Sequence, residues 1–245
     1  MEKVPSKLSR FCFFPEILFS LENEQRILEN EKREALRKKR EQELSKLNYY
    51  RSTKSGVPKK FWNESLDTFI PQSEADMKNL QMIKLFCKKQ NENNLETLLL
   101  CGNCGTGKSH LGASVIRECG GFMIDSDNMV IQLIDNQNFH SEESVSRLLS
   151  KLTTVKVLVI DEIGRSIYPE KEKVNLSYII RQRYSNMLST VLISNLKKKE
   201  FLQFLGSSVF DRLRETCISL SFTGESYRIK KRIEKNNLVG EEYEI

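Results

Sequence analysis

Residues 97–110 read TLLLCGNCGTGKSH, an apolar run that gives way to a glycine-rich octapeptide. The octapeptide, residues 102–109, fits G-x-x-x-x-G-K-[ST] at every fixed position. Each fixed residue has a physical reason to be there. Gly102, Gly105 and Gly107 let the backbone turn tightly and aim several N–H groups inward, forming a nest for phosphate oxygens. A helix starting at the loop's end adds unpaired N–H groups and the positive end of its dipole. Lys108 supplies a point charge for β- and γ-phosphates, and the Ser109 hydroxyl a ligand for Mg²⁺. The flanks agree. TLLLC (97–101) has the pattern of a buried strand, and a helical pattern runs from about Lys108 to Cys119. The expected phosphate-binding set is Gly102, Asn103, Cys104, Gly105, Thr106, Gly107, Lys108, Ser109 and His110, for ATP with Mg²⁺. A glycine-rich turn without a ligand does not require both flanks to be right.

Two more strand patterns end in polar residues. VKVLVIDE (155–162) is apolar and then doubly acidic. A buried parallel strand delivers its last residues to the crevice where ligands sit. Asp161 is thus expected to hold the Mg²⁺ shell and Glu162 to activate a water. TVLISN (190–195) ends in Asn195, which either hydrogen-bonds the γ-phosphate or attacking water, or is an ordinary strand-end turn residue. Further strands are expected at FMIDSD (122–127) and CISLSF (217–222). Helices are expected at 75–90, from after 127 to about 151 with a break near His140, at 175–188, and at 201–214. Continuous apolar strands alternating with helices predict an α/β fold, a parallel sheet covered by helices on both faces.

The chain ahead of this core differs in composition. Residues 1–60 hold 15 Lys+Arg against 9 Asp+Glu, leaving 24 of each in the remainder, so the net charge of +6 lies in the extension. Such an excess suits nucleic acid or an acidic protein surface, and equally a solvated helix that binds nothing. Leu21–Leu47 lacks Gly and Pro and is rich in strong helix formers, a single charged helix supported by pairs such as Glu29–Arg33 and Glu34–Lys38. The cluster Phe11–Phe19 is either a docking patch or a patch folded onto the protein's own core. RSTKSGVPKK (51–60) has the punctuation of a linker. No apolar run is long enough to span a membrane, and no signal-peptide cleavage pattern is present, so a cytoplasmic location is expected. Six cysteines show no secreted disulfide pattern. Cys101 and Cys104 form a CxxC without a second ligand pair for zinc, and the phosphate loop accounts for that segment.

GNCGTGKSHL, VLVIDEIG, the strand ending in ISN, FDRLRE and GESYR follow one another in an order that resembles the DnaC/IstB group of AAA+ ATPases, most of all its replicative helicase loaders. The resemblance covers about residues 60–232. It implies a helical N-terminal extension and linker at 1–58 that binds a replicative hexameric helicase, an AAA+ P-loop ATPase domain at 59–232, and a C-terminal tail at 233–245. It also implies self-association through the ATPase domains, single-stranded DNA as a partner, no membrane, and slow ATP hydrolysis. By the same resemblance Asn195 is the polar sensor, and Arg212 reaches a neighbouring subunit's γ-phosphate. Arg214 is a substitute for Arg212, and surface pairing with Asp211 or Glu215 is the plain alternative for both. Arg228 is either structural or lines the nucleotide or DNA site. Many loops of this kind carry Pro where this chain has Cys104. A transposition ATPase acting with a transposase on duplex DNA shares these motifs. A small-molecule phosphotransferase would instead need an acceptor pocket.

Overall fold

The computed structural model describes residues 15–90, 95–139 and 142–228. Contacts divide the chain into a unit ending at Leu47 and a unit beginning at Asn48. The first contains most of one helix, α1 (Pro15–Tyr50). From Arg26 onward its side chains are nearly all exposed, Ile27, Leu28, Leu36 and Leu44 among them. Among its described side chains an ion pair forms between Arg37 and Glu41, 3.3 Å at i,i+4 spacing, worth about a few tenths of a kcal/mol. The expected pairs Glu29–Arg33 and Glu34–Lys38 are not among those of the described residues. The cluster Phe11–Phe19 lies outside the described residues, except that the backbone from Pro15 on is part of α1.

The second unit is built on five parallel strands, β1 (Thr97–Gly102), β2 (Phe122–Asp125), β3 (Val157–Ile163), β4 (Ser189–Ser194) and β5 (Cys217–Phe222), in the order β2-β3-β4-β1-β5. The helices are α2 (Glu74–Lys89), α3 (Lys108–Cys119), α4 (Ser126–Phe139), α5 (Glu142–Thr154), α6 (Pro169–Ser185), α7 (Lys198–Leu205) and α8 (Ser207–Thr216). Successive residues Leu98, Leu99 and Leu100 are all buried, as are Val157 to Ile160 and Val191 to Ile193. Since strand side chains alternate between faces, both faces are covered. Register pairs Leu99 with Leu192 and Val191 with Val159 across the centre. After β1 the chain passes β4 and β3 to reach β2, steps back through β3 and β4, and then places β5 on the far side of β1. That reversal opens a crevice at the carboxyl ends of β1, β4 and β3. Helix α3 packs closely beneath it: a Cβ on Gly112 would lie 2.5 Å from Ile193 Cδ1 and 3.0 Å from Val159 Cγ1.

Several expected boundaries move. The helix foreseen at 201–214 is two, α7 and α8, parted by Gly206 at φ 82°. Helix α6 begins at Pro169 rather than near Asn175, with proline in the first turn where its missing N–H costs nothing. Strand β2 stops at Asp125, because its Oδ1 accepts the N–H groups of Asp127 (3.0 Å) and Asn128 (3.1 Å) and so starts α4. The break expected near His140 lies outside the described residues. RSTKSGVPKK is not an open linker. Ser55 and Val57 are buried, Tyr49 donates to Gly121 O at 2.7 Å, and a Cβ on Gly56 would sit 1.9 Å from Met123 O. Gly56 serves close approach to β2, not looseness.

Candidate nucleotide site

The carboxyl ends of β1, β3 and β4 open on a cleft of about 260 Å³ floored by the glycine loop. Gly102, Gly105 and Gly107 have φ of 123°, 77° and 90°, the region that favours glycine. The loop is also pressed from both sides. A Cβ would lie 2.1 Å from Phe222 O at Gly102, 2.0 Å from Ser226 Oγ at Gly105, and 2.6 Å from Phe69 Cε2 at Gly107. Asn103 N donates to Phe222 O (2.8 Å) and Tyr227 N to Gly105 O (2.9 Å), so the segment after β5 buttresses the loop. Asn103 Nδ2 donates to Thr223 O (3.0 Å) and Gly224 O (3.3 Å), and Thr106 Oγ1 to Asn103 O (2.9 Å). The side chains of Asn103 and Thr106 therefore brace the loop, while Cys104, Gly105, Gly107, Lys108, Ser109 and His110 line the cleft.

Lys108 is 5% exposed, and its ammonium donates to the carbonyls of Gly102 (2.9 Å) and Asn103. Burial pulls its pKa down, and the nearby Asp161 charge opposes that pull. Asp161 is buried too. Burial pushes its carboxyl up, while hydrogen bonds from the Ser109 hydroxyl and the Glu162 N–H hold it back, the latter at 2.8 Å to Oδ1. Two hard oxygens, Ser109 Oγ and the Asp161 carboxylate, thus stand side by side. That set fits Mg²⁺, which takes few protein ligands and completes its shell with phosphate and water. Beyond Asp161 the register of β3 against β4 breaks between Ile160 and Ile163. Glu162 sits there at φ 57°, with its exposed side chain lining the cleft. Such a conformation costs on the order of 1–3 kcal/mol and persists only when its surroundings enforce it. They do: Ser194 Oγ donates to Ile163 O at 2.7 Å, and Gly164 N to Glu172 Oε1 at 2.9 Å. Asn195 enters the cleft from the end of β4, between loop and acidic strand.

The opposite wall is residues 61–70, of which Phe61, Glu64, Thr68, Phe69 and Ile70 line the cleft. His110 holds this wall rather than only the loop: its Nε2 is 2.8 Å from Ser65 O and its Nδ1 3.3 Å from Glu64 Oε2. Arg117 Nη1 donates to Glu64 O at 2.9 Å. Nothing in the spacing of residues 62–69 (WNESLDTF) tells that they fold over a loop some forty residues later. Sequence reasoning also missed Arg165, which lines the cleft and donates from Nη2 to Cys104 Sγ at 3.1 Å. Tyr227 and Arg228 line it as well. Arg212 is elsewhere. It stands over the Tyr184 ring at 5.9 Å and, with Thr97 and Thr190, lines a small cavity at the amino ends of β1 and β4. Arg212 is therefore no part of this chain's own cleft. Arg214 stands over Phe210 at 5.7 Å.

A parallel sheet in this strand order, with a glycine loop after β1 and an acidic end on β3, defines an AAA+ P-loop nucleotide-binding protein. The chain belongs to the family of IstB-like ATP binding proteins, which matches it over residues 20–235. It is 30% identical over 185 residues to the replicative helicase loader DnaC of Buchnera aphidicola subsp. Acyrthosiphon pisum, covering 71% of this chain and 73% of that one. It is 30% identical over 172 residues to the putative ATP-binding protein of insertion sequence IS232 from Bacillus thuringiensis, 64% of either chain. The crystal structure of a DnaC helicase loader superposes with a TM-score of 0.61 at 24% identity, covering 68% of this chain and 100% of that one. No helix among the described residues is long and apolar enough to cross a membrane.

Proposed function

We propose that this chain is an ATP-dependent loader of a replicative hexameric helicase onto single-stranded DNA, acting in initiation or restart of replication and hydrolysing ATP slowly. The observation that carries it is a cleft joining a phosphate loop to Asp161, Glu162 and Asn195 in a chain sharing most of its length with a DnaC loader. Gly102–Ser109 cradle the phosphates, with Lys108 on the β- and γ-oxygens. Ser109 and Asp161 hold Mg²⁺, which offsets phosphate charge. Glu162 orients and deprotonates the attacking water, and Asn195 hydrogen-bonds that water or the γ-phosphate. Arg212 completes a neighbouring copy's site during self-association. Helicase binding falls to the N-terminal extension, residues 1–58, whose part up to Leu47 forms the separate unit. Residues 59–232 are the ATPase domain, 233–245 a tail, and the location is the cytoplasm.

The test is co-purification with the host's replicative helicase, with and without ATP, for the wild type and Lys108→Ala. A stable complex whose single-stranded DNA binding depends on ATP and on Lys108 is expected. No complex with either protein overturns the reading. The IS232 relative favours a second one, a transposition ATPase, for which the same experiment gives ATP-dependent duplex binding with a transposase instead.

A further inference from the structure

We propose that Arg165 is a phosphate-binding residue of its own chain's cleft, gripping the terminal phosphate of a bound nucleoside triphosphate. The inference rests on the nucleotide reading of the same cleft and names a contact which that reading does not include. Arg165 stands three residues beyond Glu162 and, with Cys104, Lys108 and Asn195, lines the cleft. Its one hydrogen bond among the described residues runs from Nη2 to the Cys104 thiol sulfur, a weak acceptor. It takes part in no ion pair among those residues, although Asp161 and Glu162 lie close along the chain. A guanidinium carries five N–H donors in a fork that matches phosphate oxygens, and here most of that fork is unspent. Its charge also adds to the downward pull on the Lys108 ammonium. Two cations brought together against their repulsion are stabilised by a shared anion.

The place in the cleft selects which phosphate. Ser109 and Asp161 mark the metal, and Glu162 marks the attacking water, so the terminal phosphate lies between them. Arg165 approaches from that side, over the loop position that Cys104 occupies. A diphosphate has no group there, so Arg165 distinguishes triphosphate from diphosphate. It also opposes the charge that builds on the γ-oxygens during transfer to water. Unlike Arg212 it needs no second copy.

The experiment is titration of wild type, Arg165→Ala, Arg165→Lys and Cys104→Ala with fluorescent ATP and ADP analogues, at dilutions where the chain is monomeric. Arg165 is exposed, so its variants should melt like the wild type. For Arg165→Ala the ATP affinity is expected to fall by about tenfold or more, the worth of one charge-assisted hydrogen bond, with ADP changed less than about twofold on the same scale. Arg165→Lys falls between, and Cys104→Ala, which removes the thiol that Arg165 donates to, is read only for whether both nucleotides are lost alike. An unchanged ATP-to-ADP ratio in Arg165→Ala overturns the proposal. So does an equal loss of both nucleotides shared by Arg165→Ala and Cys104→Ala, which would make the arginine a prop for the loop. Failure of the wild type to bind either nucleotide overturns the underlying reading instead, and is seen before any variant is compared.

Discussion

Lys108 and Arg183 are both buried cations, 5% and 0% exposed, at opposite ends of one sheet. Arg183, from α6, reaches under the amino ends of β3 and β4. Its Nε donates to Thr190 Oγ1 (2.9 Å), Nη1 to Leu152 O and Val155 O (both 2.9 Å), and Nη2 to Ser189 O (2.6 Å) and Lys156 O (3.5 Å). Burial drives its pKa down, and those acceptors favour keeping the charge. Everything Arg183 can donate is taken by the chain itself. Lys108 is held by two carbonyls of its own loop, beside a cleft with room for a ligand. Burial of a charge does not mark a site. What the charge still has to offer does.

The largest effect that tests this contrast is on the fold. Arg183→Met removes the donor and leaves several buried carbonyls without partners, which should cost about 3–5 kcal/mol of stability in a urea titration. A loss below about 1 kcal/mol would mean that water or rearrangement replaces the guanidinium, and the amino end would no longer stand as the structural one. Lys108→Ala is expected to do the reverse. ATP affinity should fall by about a hundredfold or more, the scale of removing charge-assisted contacts to phosphate, while the unfolding midpoint does not fall. A drop in stability comparable to that of Arg183→Met would erase the distinction.

Asp161 sharpens the comparison through pH. Its carboxyl is raised by burial, so between its unfolded and folded pKa values the folded chain binds the extra proton. Stability then falls as pH rises through that window, and the charge is a burden above it. Asp161→Asn lacks the burden. Its advantage over the wild type should be absent near the unfolded pKa of about 4 and fully developed at neutral pH, read from melting curves without nucleotide. A constant difference at all pH values would assign the effect to packing.

These contrasts were unevenly legible in the sequence. The functional end was legible because its chemistry is local: GNCGTGKS carries its own turn, charge and metal ligand, and VLVIDE carries its acids on the strand that positions them. Asp161 and Ser109 meet because β1 and β3 run in the same direction, which the apolar runs already required. Arg183 was not legible. In RQRYS it is two residues from Arg181, which is exposed and donates back to Ser177 O at 3.1 Å. No local rule says which of the two turns inward, since its acceptors lie 6 to 31 residues away. The wall at 61–70 and Arg165 were hidden for the same reason. Gly206 was visible, but its left-handed φ, which splits α7 from α8, depends on how both helices pack.

The smallest effect is the most specific. The described residues hold two non-glycine residues at positive φ, Glu162 at 57° and Met187 at 54°. One is at the carboxyl end of the sheet, in the cleft. The other is in the turn before β4, at the amino end, and 61% exposed. Glycine at either position relieves a backbone strain on the order of 1–3 kcal/mol, partly offset by the looser unfolded chain. Both Glu162→Gly and Met187→Gly should therefore melt slightly higher than the wild type. They should part on turnover: Met187→Gly leaves ATP hydrolysis intact, whereas Glu162→Gly loses about a hundredfold or more with ATP binding retained, as removal of a general base requires. If both variants hydrolyse ATP alike, Glu162 does not activate the water, and its strain is a turn feature like that of Met187. If Glu162→Gly is inactive and no more stable, then the conformation is set by the Ser194 and Glu172 contacts without measurable strain, and only the carboxylate separates the two turns.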